Sequence, residues 1–526
     1  MKFNSFAKKL SVLSVTSLLT LFAGGLNLSA QEIDKELQKE FTIVCGKHNF
    51  NLDPHTSSYT TEAQLLVGVY EGLFSYDPIT LDPLYAVAKS YRLSRDKKRW
   101  TFELRDDAKF SNGQEINAQT VKDSWIMMLA KPNAPYSSLF DIIKGCRDFR
   151  YGKASQEEVG IYVIDDKTLT VSLENPASHL PKLLCMPAFS VVSQEPDVYS
   201  GAYCITSKSE TCIILERNPN YYDLEHTNIE KITFVMTDDP KESSFLYNTG
   251  KADWLFGDYD AKSLIKNDDI RISAEFGTQY YFFKIRENSP WNNPELRQAL
   301  LEACPWAKLR ENTYVPASTF VYPLAGYPAV EGYLFTDSKN AVLMANEARK
   351  NMGVSEDTRF TIRFAVPDYD YIKQKAQQLK EAWTEIGVDL EIVAIPSWLY
   401  LDAVTATDCD LYTYTWIGDF ADPLAFLELF RGTSTLNVSG WKNKEYDDLL
   451  DMASLYTDEN HIKYLAKAEQ LLLDQAMVLP IHHPISANVI NLETIGGWSV
   501  NAFNLHPPKW FFKRESTDKI PNVVIR

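Results

Sequence analysis

The stretch from Tyr371 to Ile392 restricts the fold more than any other part of the chain. Ile372, Ala376, Leu379, Trp383 and Ile386 recur at spacings of four, three, four and three, which sets them on one helical face. Gly387 follows, where a helix C-terminus needs a residue able to take positive φ. Val388-Asp389-Leu390-Glu391-Ile392 then alternates apolar and polar with the period of a half-buried strand. Helix, glycine stop and strand in succession predict an α/β chain. The pattern recurs in a helix from about Asn340 to Met352 that ends at Gly353. A third helix, from about Asn460 to Gln475, turns Ile462, Leu465, Ala468, Leu471 and Leu472 inward. Earlier, Trp100-Thr101-Phe102-Glu103-Leu104 alternates as a strand.

With 526 residues, 45% of them hydrophobic, the chain can build two or three domains with real cores. Its first thirty residues read as an export signal. Lys2, Lys8 and Lys9 precede an uncharged apolar run from Leu10 to Ala23, and Leu28-Ser29-Ala30 offers a cleavage site near Ala30. That run is shorter than the roughly 20 residues of a comfortable membrane span. No cysteine closes it, so lipoprotein attachment is not expected. Cleavage would move the formal charge from −17 to −20. A surface that acidic repels nucleic acid and anionic lipid.

Seven cysteines cannot all pair, and none falls in a C-x-x-C spacing. Cys204 and Cys212 flank a polar turn. They form either a hairpin disulfide or two free thiols, and spacing does not decide between them. Catalysis finds no support: there is no His-Glu-x-x-His helix, no Gly-x-Ser-x-Gly elbow and no phosphate-cradling glycine loop. His482 and His483 would face opposite sides of a strand, so they cannot chelate one ion together. No cofactor or metal is expected. Asn437-Val438-Ser439 matches a glycosylation sequon, a match frequent by chance.

Several segments occur in an order that resembles one family. Leu52-Asp53-Pro54 is followed by Val69-Tyr70-Glu71-Gly72-Leu73-Phe74, then by Leu104-Arg105 with Phe110 and Gly113 in an L-R-x-x-x-x-F-x-x-G stretch. Asn117-Ala118-Gln119-Thr120-Val121 stands where an A-x-D-V helix start is usual, with Gln119 and Thr120 in place of the Asp pattern and a weaker cap expected. Gly201-Ala202-Tyr203, Arg217-Asn218-Pro219-Asn220-Tyr221-Tyr222, Leu296-Arg297-Gln298-Ala299-Leu300 and Gly440-Trp441-Lys442-Asn443 before Tyr446-Asp447 complete the series. On these motifs the chain resembles the peptide-binding (oligopeptide/dipeptide) class of ABC-transporter substrate-binding proteins, nearest to the oligopeptide binders.

The resemblance implies a two-lobed α/β periplasmic-binding-protein fold of type II, with a hinge and an extra inserted domain. The expected partition is a signal peptide at 1–30; lobe I from 31–76, 190–285 and 486–526; an insertion at 77–189; and lobe II at 286–485. The ligand lies between lobes that close over it. In such relatives the Asp of W-x-x-D pairs with the peptide's α-ammonium, and Asp419 in Trp416-Ile417-Gly418-Asp419 holds that place. The chemistry is sound, because a binder indifferent to side chains must read what every peptide has. Two charges about 4 Å apart attract by roughly 4 kcal/mol at an effective dielectric near 20, before desolvation. Asp422, before Pro423, reads instead as a helix cap. Trp416, Ile417, Gly418, Tyr414 and Trp398 are expected to line the pocket. Ser58 and Tyr59 are expected to present an extended segment that pairs with the peptide as a strand would.

The function so implied is an extracytoplasmic, periplasmic peptide binder, not an enzyme. It would act as a monomer, deliver oligopeptides to ABC permease subunits in the inner membrane and bind no nucleic acid. Dipeptide, nickel, haem or other small-ligand binding on the same fold, and an exported adhesin or sensor, are the competing readings. A secreted peptidase would need a catalytic constellation that the sequence lacks.

Overall fold

The computed structural model describes residues 39–514, so the expected export signal at 1–30 lies outside the described residues. Two mixed sheets organise the chain. The seven-stranded sheet has the order Ile270–Ala274, Ile485–Ile490, Trp254–Phe256, Glu40–Cys45, Lys231–Met236, Cys212–Arg217, Tyr203–Lys208. Its centre, Glu40–Cys45, runs parallel to both neighbours and is buried along most of its length, as parallel strands require. The six-stranded sheet has the order Val315–Pro316, Val478–His483, Gly277–Phe283, Leu411–Ile417, Phe360–Pro367, Val388–Ile395.

Two chain segments join the sheets. Ile270–Ala274 of the first leads through Glu275 and Phe276 into Gly277–Phe283 of the second, and Val478–His483 leads back through Pro484 into Ile485–Ile490. Glu275 N–H donates to the Pro484 carbonyl at 3.0 Å, fastening the two crossings side by side. Gly277–Phe283 was expected in lobe I. Its ladders with Leu411–Ile417 and Val478–His483 put it in the six-stranded sheet instead. A separate antiparallel sheet, Ala88–Leu93, Arg99–Leu104, Thr168–Ser172 and Ile161–Asp165, forms from residues within the expected insertion.

The periodic segments fold as their patterns dictate. The helix Asp370–Thr384 buries Ile372, Ala376, Leu379 and Trp383, and Gly387 takes φ 77° before Val388–Ile395 begins. Ser338–Asn351 is capped by Asp337, whose side chain accepts from Asn340 N–H. In Glu459–Asp474 the buried face includes Leu465, Ala468 and Leu472 but also Glu469, while Ile462 and Leu471 are only half-buried. Glu469 tolerates burial because its carboxylate accepts the Phe320 and Val321 N–H groups, each at 2.8 Å.

Three local expectations are corrected or settled. The start of helix Ala118–Ala130 is not weakly capped: Asn117 accepts from Thr120 N–H, and Thr120 Oγ1 accepts in return from Asn117 N–H at 3.0 Å, a capping box. Cys204 and Cys212 do lie in one hairpin, but Cys204 pairs with Glu216 while Cys212, at the tip, pairs with Val235. All seven cysteines are free. The side-chain amide of Asn437 in the sequon donates to the Arg431 and Trp441 carbonyls at 3.1 and 2.9 Å, so its amide shapes the turn.

Candidate ligand-binding cleft

The strand Leu411–Ile417 ends at the edge of its sheet that faces the other sheet, with Ile417 opposite Gly277 beside the crossing. Gly418 continues it, donating its N–H to the Phe276 carbonyl at 2.7 Å. A Cβ at Gly418 would meet the Phe276 ring at 2.5 Å, so only glycine lets this segment lie flat on the crossing. Asp419 is thereby fixed in the gap between the sheets, where it lines a small cavity.

A cavity of about 110 Å³ opens in front of it. Trp416, Ile417, Gly418 and Asp419 line it from the six-stranded side, Ser58 and Tyr59 from the seven-stranded side. Tyr76, Tyr136, Met186 and Phe503 complete the walls. Room for several water molecules or one small chain end is what this volume offers. The space then widens past Ser58 and Tyr59, which border both regions, into a groove of about 1390 Å³. The groove runs between His48, Asn51 and Asp258 on one side and Tyr369, Ser397 and Leu399 on the other.

Asp419 dominates the narrow end. Its Oδ1 accepts from the Tyr136 hydroxyl at 3.3 Å, and its backbone carbonyl accepts from the Tyr76 hydroxyl at 3.2 Å. Among the described residues no cation pairs with it. Burial pushes its pKa up to about 7, with the Tyr136 hydrogen bond pulling the other way. An under-solvated carboxylate without a counter-ion, facing a small cavity, suits a ligand cation better than it suits an empty site.

The opposing wall is held from behind. Glu62 is buried and accepts the Ser57 hydroxyl at 2.6 Å and the Asn51 N–H at 2.7 Å, with His48 Nε2 at 2.8 Å. These bonds hold Glu62 below the usual carboxylate range against the opposite pull of burial. They also fix the course of 57–59 ahead of the helix Thr60–Val69. Tyr59 stands beside the His48 ring, centroids 4.5 Å apart.

The expected site residues therefore converge, with two exceptions. Trp416 donates its indole N–H to the Ala425 carbonyl at 2.9 Å, which satisfies the polar tip and leaves the ring for the cavity wall. Tyr414 does not line the cavity. Two residues back along the strand, it packs on Phe282 and Tyr280 with centroids 5.0 and 6.5 Å away. The turn Ser397–Leu399 borders the groove, but the Trp398 side chain lies outside the described residues. Asp422 acts as the expected cap, accepting Leu424 N–H at 2.9 Å, and it also pairs with His461 at 3.1 Å. Tyr76 and Tyr136 were not anticipated. Tyr76 follows the Val69–Phe74 motif by two positions, yet nothing in the sequence separates either ring from a core aromatic.

Two lobes joined by paired crossings, an inserted sheet and a cavity between the lobes define a type II periplasmic-binding protein. Residues 82–437 match the bacterial extracellular solute-binding proteins, family 5 (middle), which is more than half of the chain, and the chain belongs to that family. It is 27% identical over 514 residues to the oligopeptide-binding protein OppA of Bacillus subtilis, covering 90% of this chain and 94% of that one. It is 26% identical over 464 residues to the dipeptide-binding protein DppE of the same organism, covering 82% and 84%. The fold is shared with the murein tripeptide binding protein MppA of Escherichia coli, at TM-score 0.80 and 21% identity over 91% of this chain and 99% of that one. It is shared equally with Haemophilus influenzae OppA in complex with RPPGFSPFR, at TM-score 0.79 and 22% identity over 90% and 99%.

Proposed function

We propose that this protein is the exported, monomeric peptide-capturing component of an ABC importer, binding oligopeptides between its lobes and passing them to permease subunits in the inner membrane. The observation that carries the reading is the unpaired, under-solvated Asp419 carboxylate at the closed end of a cleft that widens away from it. A peptide offers one cation at one end, its α-ammonium, followed by a chain that needs room. The narrow cavity accepts the ammonium, and the groove accepts the residues behind it. The groove's size supports peptides longer than two residues, and OppA and DppE among the relatives are peptide binders by name. Ser58 and Tyr59 face the first residues of the peptide, and Trp416, Ile417 and Gly418 wall them in.

The same reading divides the chain at the crossings. One lobe carries the seven-stranded sheet, residues 77–189 are inserted into it, and the second lobe lies between Phe276 and Pro484. Mass spectrometry of small molecules released by denaturing the purified protein tests the function. Peptides of mixed sequence and restricted length are expected. A metal chelate, haem or sugar in their place would overturn the ligand, and an empty protein indifferent to added peptides would favour an adhesin or sensor.

A further inference from the structure

Residues of the proposed insertion grip the short turn of the second lobe that begins at Asp419. Tyr136 donates to Asp419 itself. The His179 ring stacks on the Phe420 ring, with centroids 5.8 Å apart and planes 15° from parallel. Lys182, three residues on in the helix Leu180–Leu183, donates its ammonium to the Ala421 carbonyl at 3.0 Å. Asp422 is held from within its own lobe, by His461 at 3.1 Å. Elsewhere along the junction Ser138 Oγ accepts the Thr435 N–H at 3.0 Å. The charges there pair inside their own lobes, Asp141 with Arg150 and Glu428 with Arg431. Among the described residues no ion pair joins the insertion to the second lobe.

His179 is 6% exposed in this junction. The charged groups that face it are Lys182 from its own helix and Asp422 and His461 from the second lobe. Burial pushes its pKa down to about 4, against the pull of Asp422 and with the help of His461 and Lys182. His461 behaves in the opposite way. Burial disfavours its charge, but the bond to Asp422 outweighs that and holds its pKa above the ordinary value. Asp422 therefore already serves a cation of its own lobe. A second cation on His179 would be buried between His461 and Lys182 with only that shared carboxylate to offset it.

We propose that His179 is a pH-sensitive latch of the cleft: neutral, it lets the insertion seat on Phe420 and hold the Asp419 turn, and protonated, it parts the two and releases the peptide. The ligand in this statement rests on the peptide-binding reading, whereas the closure can be followed without any ligand. When the lobes part, His179 meets water and returns to an ordinary pKa near 6.5. A group whose pKa is lower closed than open stabilises closure above pH 6.5. That contribution is lost as pH falls from 6.5 towards 4. At pH 5.5 the closed-to-open ratio should be down roughly tenfold. Asp419 acts in the opposite sense without ligand, since burial raises its pKa in the closed form. A bound ammonium keeps it ionised, so dissociation of the peptide isolates the latch.

The test is stopped-flow dissociation of an alanine-rich peptide with a free α-amine and a dansylated C-terminal lysine. It is displaced from the mature protein by excess unlabelled peptide at pH 7.5 and 5.5. The acceleration on going to pH 5.5 should be roughly tenfold greater in wild type than in His179→Phe, which keeps a stacking ring without a titrating nitrogen. His179→Gln replaces that variant if thermal melts show that it does not fold. The same acceleration in wild type and variant would overturn the latch. A wild type that binds no peptide would overturn the peptide reading, and small-angle scattering of the ligand-free protein then decides the latch. In an Asp419→Asn background, which silences the opposing group, the particle should expand between pH 7.5 and 5.5, and His179→Phe should abolish the expansion. An unchanged radius in that background would overturn the latch.

Discussion

Tyr136 donates its hydroxyl to Asp419 Oδ1 across 3.3 Å, joining residues 283 positions apart in the chain. The pair brings a ring from within the proposed insertion onto Asp419, the one carboxylate among the described residues that lines the cavity. Donation to a carboxylate favours its ionised form. Tyr136→Phe keeps the ring and removes that donor, so the Asp419 pKa should rise further above its ordinary value. Peptide affinity at neutral pH should fall severalfold with little change in thermal stability, as read by calorimetry and melting curves. Unaltered affinity would mean that the hydroxyl does not support the charge.

Binding should depend on pH with a defined sign. In the free protein Asp419 titrates at about 7, raised by burial. A bound ammonium favours the ionised form and lowers that value, so binding below neutrality requires a proton to leave. Affinity should therefore weaken as pH falls through 7, by roughly tenfold between pH 7.5 and 6. It should weaken again above about pH 8, where the peptide's own α-amino group loses its proton. Calorimetry in buffers of different ionisation enthalpy should detect proton release on the acid side. A flat profile from pH 6 to 8 would contradict the assignment.

Gly418 supports the site sterically. A Cβ there would sit 2.5 Å from the Phe276 ring. Gly418→Ala must displace the ring or the strand end, a strain of about 1–3 kcal/mol for overpacking. The expected result is a lowered melting temperature together with weakened peptide binding, since the displaced segment carries Asp419. A variant as stable as wild type would show that the segment has slack.

The hairpin register separates Cys204 from Cys212, and all seven thiols are free. Denatured without reductant, the protein should titrate seven thiols, and reductant should leave its melting temperature unchanged. Two fewer thiols would put a disulfide back into the hairpin.

Periodicity exposed the α/β character because Ile372 to Ile386 and Val388 to Ile392 each bury one face against the sheet they build. The pairing of Gly277–Phe283 with the second sheet was not legible, since an apolar run buried on both faces carries no mark of which neighbours it joins. At the site, Asp419 stood out because a charged residue follows an aromatic strand end in a recognisable motif. Tyr414 was misplaced because it shares the strand face of Trp416, and only the packing of Phe282 and Tyr280 shows that the cavity begins beyond it. Tyr136 reaches the cleft through tertiary contacts that leave no local signature.

The most direct test of the central claim is titration of one peptide, with its α-amine free or acetylated, into wild type and Asp419→Asn. Losing one partner of a buried charge pair costs about 3–5 kcal/mol. The free-amine peptide should therefore bind wild type at least a hundredfold tighter than the acetylated one, and Asp419→Asn should lose most of that preference. If the acetylated peptide binds wild type as tightly as the free one, Asp419 does not hold the ammonium and the cleft reads its ligand by some other group.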